Sequence, residues 1–157
     1  MKRTEKQIIA VVRDVLDIPA QYDSYTDCFE LLFYDGADKP SEAIFGEAFV
    51  ELDAYAQDTI LQHEKGHIVS TAQHLPAHEE YDRLWDTELE VPDQVYYAHE
   101  AEADLYAAKQ VGLDRVIKAI KQTLAWNEKW KRAANLLRLW NEQEKPLKWH
   151  RRVWLML

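Results

Sequence analysis

Two histidines four residues apart, His63 and His67, form the group with the clearest chemical potential in this sequence. Residues four apart project from the same face of an α-helix, so both imidazoles can bind one tetrahedral metal ion. Glu64 completes a His-Glu-x-x-His motif, in which the glutamate is not a ligand but the general base that takes a proton from the metal-bound water. The motif therefore predicts a Zn²⁺ site with a base for hydrolysis beside it.

A second motif offers the remaining ligand, because a catalytic zinc site needs three protein ligands and one open position. Glu100 and Asp104 are also four residues apart and share one face of a second predicted helix. Glu100 can complete a His, His, Glu set, and Asp104 can accept the free ring N–H of a ligand histidine. Glu102 is the alternative third ligand. We rank it second because it lies two positions from Glu100 and faces another side of the helix.

The two motifs, residues 63–67 (HEKGH) and 100–108 (EAEADLYAA), together resemble those of the gluzincin metallopeptidases. Within that group the chain is most similar to the ImmA/IrrE type, and the HtpX-like peptidases and minigluzincins are the second choice. Asp104 stands where the ImmA/IrrE type more often has Asn, and Tyr106 stands where Phe is usual, which favours the HtpX side. The resemblance covers residues 42–111.

The resemblance implies a zincin-like domain and an intracellular zinc endopeptidase. It assigns Zn²⁺ to His63, His67 and Glu100, the role of base to Glu64, and the support of a ligand histidine to Asp104. The implied substrate is a polypeptide, such as a transcriptional repressor. The alternative function, from a different class, is a regulatory or interaction module that binds zinc and hydrolyses nothing. A fourth protein ligand, for instance His99, would favour that alternative because it would close the site.

A peptidase also benefits from a hydrogen-bond donor that stabilises the oxyanion of the tetrahedral intermediate. The sequence does not choose among its candidates, which are Tyr97, His99, His150, Tyr96 and Tyr106.

Hydrophobic periodicity predicts an α+β fold in which these motifs lie on helices. A chain of 157 residues with 47% apolar content can bury one core, so residues 1–157 are expected to form a single domain. The pattern predicts a helix over 4–17, strands over 28–34 and 44–52, and the metal-motif helix over 55–70. A turn is expected around Asp35 and Gly36, and a bend in the second strand at Gly46. Gly66 inside the motif helix indicates close approach of another backbone.

Residues 71–93 are predicted to form a surface connection that can contain a short helix. His74 and His78 within it are expected to be exposed. Residues 113–157 are basic and rich in tryptophan, and their apolar spacing predicts one long helix or two helices joined near Asn127. The tryptophans are expected to cover the core. They are Trp126, Trp130, Trp140, Trp149 and Trp154.

Charge divides unevenly along the chain. Residues 1–112 hold 8 basic and 24 acidic side chains, whereas residues 113–157 hold 11 basic and 4 acidic side chains. The simplest interpretation is attraction between the two parts, so no nucleic-acid partner is predicted. A basic tail that covered the cleft would hold the enzyme latent.

The single cysteine, Cys28, cannot form an intrachain disulfide, and no long apolar run suits a membrane span. We therefore expect a cytoplasmic protein without a membrane partner, and the oligomeric state stays open.

Overall fold

The computed structural model describes residues 1–34, 36–87, 89–124, 126–144 and 146–157, and of Trp126 only the backbone. Within these ranges the chain forms eight helices and one three-stranded sheet, which confirms the α+β class. The helices are α1 (Glu5–Leu16), α2 (Glu47–Val50), α3 (Ala54–Ala72), α4 (Pro76–Trp85), α5 (Asp93–Val111), α6 (Leu113–Thr123), α7 (Trp126–Gln143) and α8 (Trp149–Met156). The strands are β1 (Ala20–Tyr22), β2 (Phe29–Leu32) and β3 (Glu42–Phe45). The predicted turn at Asp35 and the side chain of Trp126 lie outside the described residues.

Helix α1 confirms the predicted N-terminal helix and begins with a capping box. The Thr4 hydroxyl accepts from the Gln7 N–H, and the Gln7 side chain accepts from the Thr4 N–H. Three apolar side chains on one face of α1 are buried in a core shared with the sheet and α3, namely Ile8, Val12 and Leu16.

The sheet has the order β1-β3-β2, with β1 parallel and β2 antiparallel to β3. Strand β2 confirms the strand predicted over 28–34, although it is shorter, and it is an edge strand. Strand β1 was not predicted.

The strand predicted over 44–52 is wrong beyond Phe45. The Gly46 N–H donates to the Cys28 carbonyl at 2.9 Å, and a side chain at position 46 would collide with the Thr26 carbonyl. The chain then turns into the short helix α2, which buries Phe49. A tertiary contact of the backbone, rather than the local alternation of side chains, decides this conformation.

Helices α3 and α5 pack against each other at very short distance beside Gly66. A Cβ added there would lie 2.7 Å from the Ala103 carbonyl oxygen and 2.8 Å from Ala103 Cα. The predicted approach of a second backbone is therefore confirmed, and the backbone belongs to the helix that contains Glu100.

Helices α6 and α7 pack on α5, and α8 packs on α7, around a second apolar cluster, so the described C-terminal part contains two main helices followed by a short one. Trp140 packs against this cluster, but Trp149 and Trp154 are 73% and 61% exposed, so the core-covering interpretation is wrong for those two. No helix in the described ranges is both long and apolar enough to cross a bilayer.

Candidate metal centre

The side chains of His63, His67 and Glu100 converge between α3 and α5. The Nε2 atoms of the two histidines lie 3.0 Å apart. Glu100 Oε2 lies 3.3 Å from His63 Nε2, and Glu100 Oε1 lies 3.3 Å from His67 Nε2. One atom from each residue thus lies within 4.8 Å of the others, and the group could hold a metal ion.

The spacing of these atoms fits Zn²⁺. A tetrahedral ion with bonds of about 2.0–2.1 Å requires donor atoms roughly 3.3 Å apart. The two imidazole nitrogens are 3.0 Å apart, and each lies 3.3 Å from a different oxygen of Glu100, which is close to that value. Two imidazoles and one carboxylate are also a donor set of catalytic zinc sites. The residues therefore suit the ion that the sequence predicts.

Asp104 orients His63 from the side away from Glu100. Asp104 Oδ1 accepts a hydrogen bond from His63 Nδ1 at 2.7 Å, which leaves Nε2 facing Glu100. Burial raises the pKa of Asp104, but Arg132 and His63 lower it more strongly. Burial lowers the pKa of His63, but Asp104 and Glu100 raise it to about 10. An ionised carboxylate at this place fixes the tautomer and ring orientation that a ligand histidine needs.

Arg132, on α7, is a residue of this site that was not predicted from the sequence. Its Nε and Nη2 donate to the two carboxylate oxygens of Asp104 at 3.0 and 2.7 Å, and its Nη1 lies 3.2 Å from Glu100 Oε2. The guanidinium thus contacts two buried carboxylates and offsets one of their two negative charges. Burial raises the pKa of Glu100, but His67, His63 and Arg132 hold it well below its usual range.

A signal for Arg132 was present in the sequence. Arg132 lies four residues before Leu136 and therefore on the apolar stripe of α7. A basic side chain on a buried stripe requires an acidic partner, because an unpaired buried charge is strongly destabilising.

Glu64 lines the cleft beside the three candidate ligands. Burial raises its pKa, although His63 and His67 act in the opposite direction. A raised pKa makes this carboxylate a better proton acceptor than an exposed glutamate, which is the property that a general base requires.

Glu102 has a structural role that is separate from the metal group. Its carboxylate accepts hydrogen bonds from the N–H groups of Ala77 and His78 at 3.1 and 2.9 Å. It therefore caps the N-terminus of α4, where an acidic group is favourable. Of the two glutamates considered as third ligand, the structure brings Glu100 to the histidines.

The contacts of Glu102 also explain why one surface prediction is wrong. The cap holds the start of α4 against α5, so His78 is buried, whereas His74 is exposed as predicted.

The candidate oxyanion donors separate by position. Tyr96 and His99 line the cleft. Burial and Glu100 raise the pKa of Tyr96, so its phenol stays protonated. Burial, followed by His67, lowers the pKa of His99 to about 3, so this ring is neutral. In the described part of the chain, Tyr97 and His150 lie outside the cleft. Tyr106 instead packs beside Gly66.

The cleft in front of the candidate ligands has a volume of about 1250 Å³. Residues of the edge strand β2 and residues of α4 both line this cleft. The basic segment 113–157 contributes to the cleft through residues of α6 and α7, whereas α8 contributes no lining residue in the ranges described, and a latent state stays a prediction.

Comparisons of the chain with protein-family models, curated proteins and solved structures found no match. The functional assignment therefore depends on the geometry of this site and on the motifs.

Proposed function

We propose that this chain is a zinc-dependent peptidase with a small zincin-like domain. The observation that carries the proposal is the convergence of His63, His67 and Glu100 at distances of 3.0–3.3 Å, beside Glu64 in an open cleft. When bound, Zn²⁺ would supply Lewis-acid polarisation of the scissile carbonyl and acidify a water molecule.

The protein side chains would supply proton transfer, oxyanion stabilisation and orientation of the ligands. Glu64 accepts the proton of the attacking water and passes it to the leaving amine, which is the role of a general base that then becomes a general acid. Tyr96, whose phenol lies in the cleft one helical turn before Glu100, donates a hydrogen bond to the developing oxyanion. Asp104 and Arg132 hold His63 and Glu100 in place.

The number of ligands favours catalysis over a structural role. Among the described residues, the group that could hold a metal ion contains three side chains and no fourth. The ring of His99, considered above as a closing ligand, is stacked on Tyr81 instead. Structural zinc sites are almost always closed by four protein ligands, whereas catalytic sites keep one position for water or substrate.

The edge strand favours a polypeptide substrate. One side of β2 pairs with β3, and consecutive residues from Cys28 to Tyr34 line the cleft. An extended peptide can add to such an edge through main-chain hydrogen bonds. The single unpaired thiol, Cys28, suits a reducing compartment, so we place the activity in the cytoplasm.

The test is elemental mass spectrometry on purified protein, combined with a peptide-hydrolysis assay. We expect about one zinc per chain in the wild type and none in His67→Ala, because a catalytic site needs its three ligands. Glu64→Gln should retain zinc and lose hydrolysis about 10²- to 10⁴-fold. Glu90→Gln is the matched control, since Glu90 is an exposed glutamate outside the cleft. Wild type that stays metal-free after zinc is supplied would refute the proposal.

A further inference from the structure

A row of aromatic rings follows one wall of the cleft, from a candidate ligand to the rim. The centroids of His67 and His99 are 4.6 Å apart. The ring of Tyr81 stacks on His99 at 4.2 Å with an interplanar angle of 7°. Trp85 stacks on Tyr81 at 5.9 Å with an angle of 22°. The row ends at Trp85, which is 66% exposed.

The elements that hold this row are fixed in place. Tyr81 and Trp85 are one turn apart on α4, and His99 lies on α5. The two helices are joined by the bonds from Glu102 to the start of α4. An exposed indole on a fixed helix is available for a ligand at little cost in ordering.

The segment that follows β2 also presents aromatic side chains to the cleft. Phe33 and Tyr34, which follow β2, are 42% and 73% exposed and line the same cleft. Exposed aromatic side chains from two separate elements therefore line the same cleft and are available to pack against an incoming ring.

The charge of the lining distinguishes between two kinds of aromatic ligand. Nucleobases also stack on aromatic rings, but their phosphates require unpaired basic groups. Among the described residues, two arginines line the cleft and both are paired, Arg83 with Glu80 and Arg132 with Asp104. In the same part of the chain, the remaining charged lining residues are acidic apart from histidines, and they are Glu30, Asp38, Glu64, Glu79, Asp82, Asp86, Glu100 and Asp104. A polyanion is therefore disfavoured, and an aromatic side chain of a peptide is favoured.

We propose that Tyr81 and Trp85 form a specificity subsite that selects peptide substrates with a large aromatic side chain near the scissile bond. This inference rests on the proposed peptidase function. The row measures at most about 15 Å from His67 to Trp85, and an extended peptide advances about 3.3 Å per residue. The aromatic side chain therefore lies within about four residues of the cut.

The test is digestion of a degenerate peptide library by the zinc-loaded enzyme, with cleavage sites read by mass spectrometry. We then compare kcat/KM for two peptides that differ only by Phe or Ala at the enriched position. Trp85→Ala should lower kcat/KM for the Phe peptide about 10-fold, mainly through KM, and leave the Ala peptide unchanged. Trp85→Phe should restore most of the loss. Trp149→Ala is the matched control, since Trp149 is a similarly exposed tryptophan on α8 outside the cleft.

The outcomes separate the two proposals. Enrichment of aromatic residues that Trp85→Ala abolishes and Trp149→Ala preserves supports the subsite. Cleavage without aromatic enrichment, or equal effects of the two alanine variants, overturns the subsite and leaves the peptidase proposal standing. Wild type that binds zinc but cleaves no peptide in the library overturns both.

Discussion

Replacement of Gly66 by alanine provides a sharp test of how the packing of α3 on α5 determines metal affinity. The new Cβ would lie 2.7 Å from the Ala103 carbonyl oxygen, whereas ordinary contacts begin at 3.4 Å. The two helices must therefore separate by roughly 0.7 Å to reach normal packing distance. Because the histidines are on α3 and Glu100 is on α5, this separation widens the 3.3 Å gaps between their donor atoms to about 4 Å.

Gly66→Ala should change the free energy of unfolding less than it changes the zinc affinity. Overpacking destabilises a protein by about 1–3 kcal/mol. Alanine is favoured over glycine inside a helix by about 1 kcal/mol, so the net loss is about 0–2 kcal/mol. Zinc ligands 4 Å apart exceed the roughly 3.3 Å that bonds of about 2.0–2.1 Å allow. We expect a fall in zinc affinity of about 100-fold, comparable to the loss of a residue that orients a ligand.

The assay is competition for zinc with a chromophoric chelator, alongside thermal unfolding of the metal-free protein. Lys65→Ala is the control, because Lys65 is the neighbouring residue on α3 and does not line the cleft. A folded Gly66→Ala variant whose zinc affinity stays within about threefold of wild type would refute the link between helix spacing and the site.

Three further predictions concern Arg132, Glu102 and Cys28. Arg132→Met removes one buried positive charge beside Asp104 and Glu100, so the free energy of unfolding of the metal-free protein, measured with denaturant, should fall by about 3–5 kcal/mol. Arg138→Met, which removes an exposed ion pair, should lower the free energy of unfolding by less than about 1 kcal/mol. Equal losses in the Arg132 and Arg138 variants would contradict this reasoning. Glu102→Ala removes the cap of α4, so the free energy of unfolding should fall by about 1–2 kcal/mol while the zinc content stays unchanged. Loss of zinc in this variant would contradict the assignment of Glu100 as the third ligand. Burial raises the pKa of the Cys28 thiol from 9.0 to about 11, which disfavours the thiolate in the folded state. Alkylation by iodoacetamide at pH 8 should therefore be about 100-fold slower in the folded than in the unfolded protein, and equal rates would show that the thiol is not buried.

The parts of the fold that depend on local periodicity were predictable from the sequence. Helices α1 and α3 follow apolar spacing and end near their expected limits. The two motif pairs, His63 with His67 and Glu100 with Asp104, were placed correctly on helices because a spacing of four residues has a fixed meaning on a helix.

The parts that depend on contacts between distant segments were not predictable in the same way. The alternation of side chains after Gly46 favoured a strand, but the contact of this backbone with Thr26 turned the chain into α2. His78 was predicted to be a surface residue, but the contact of its N–H with Glu102 holds its helix against α5 and buries it. The position of Arg132 on the apolar stripe of α7 indicates an acidic partner, but Asp104 is far from it in the chain and no local pattern identifies which acidic residue that partner is.

The position of Arg132 has a consequence for the order in which this site is assembled. During synthesis from the N-terminus, α3 and α5 are complete before α7, which holds Arg132, has been made. Until then the contacts of Asp104 and Glu100 with His63 can form without the Arg132 guanidinium. Helix α7 therefore adds this positive charge to the site last, and we expect a nascent chain that stops short of it to carry one more uncompensated carboxylate there.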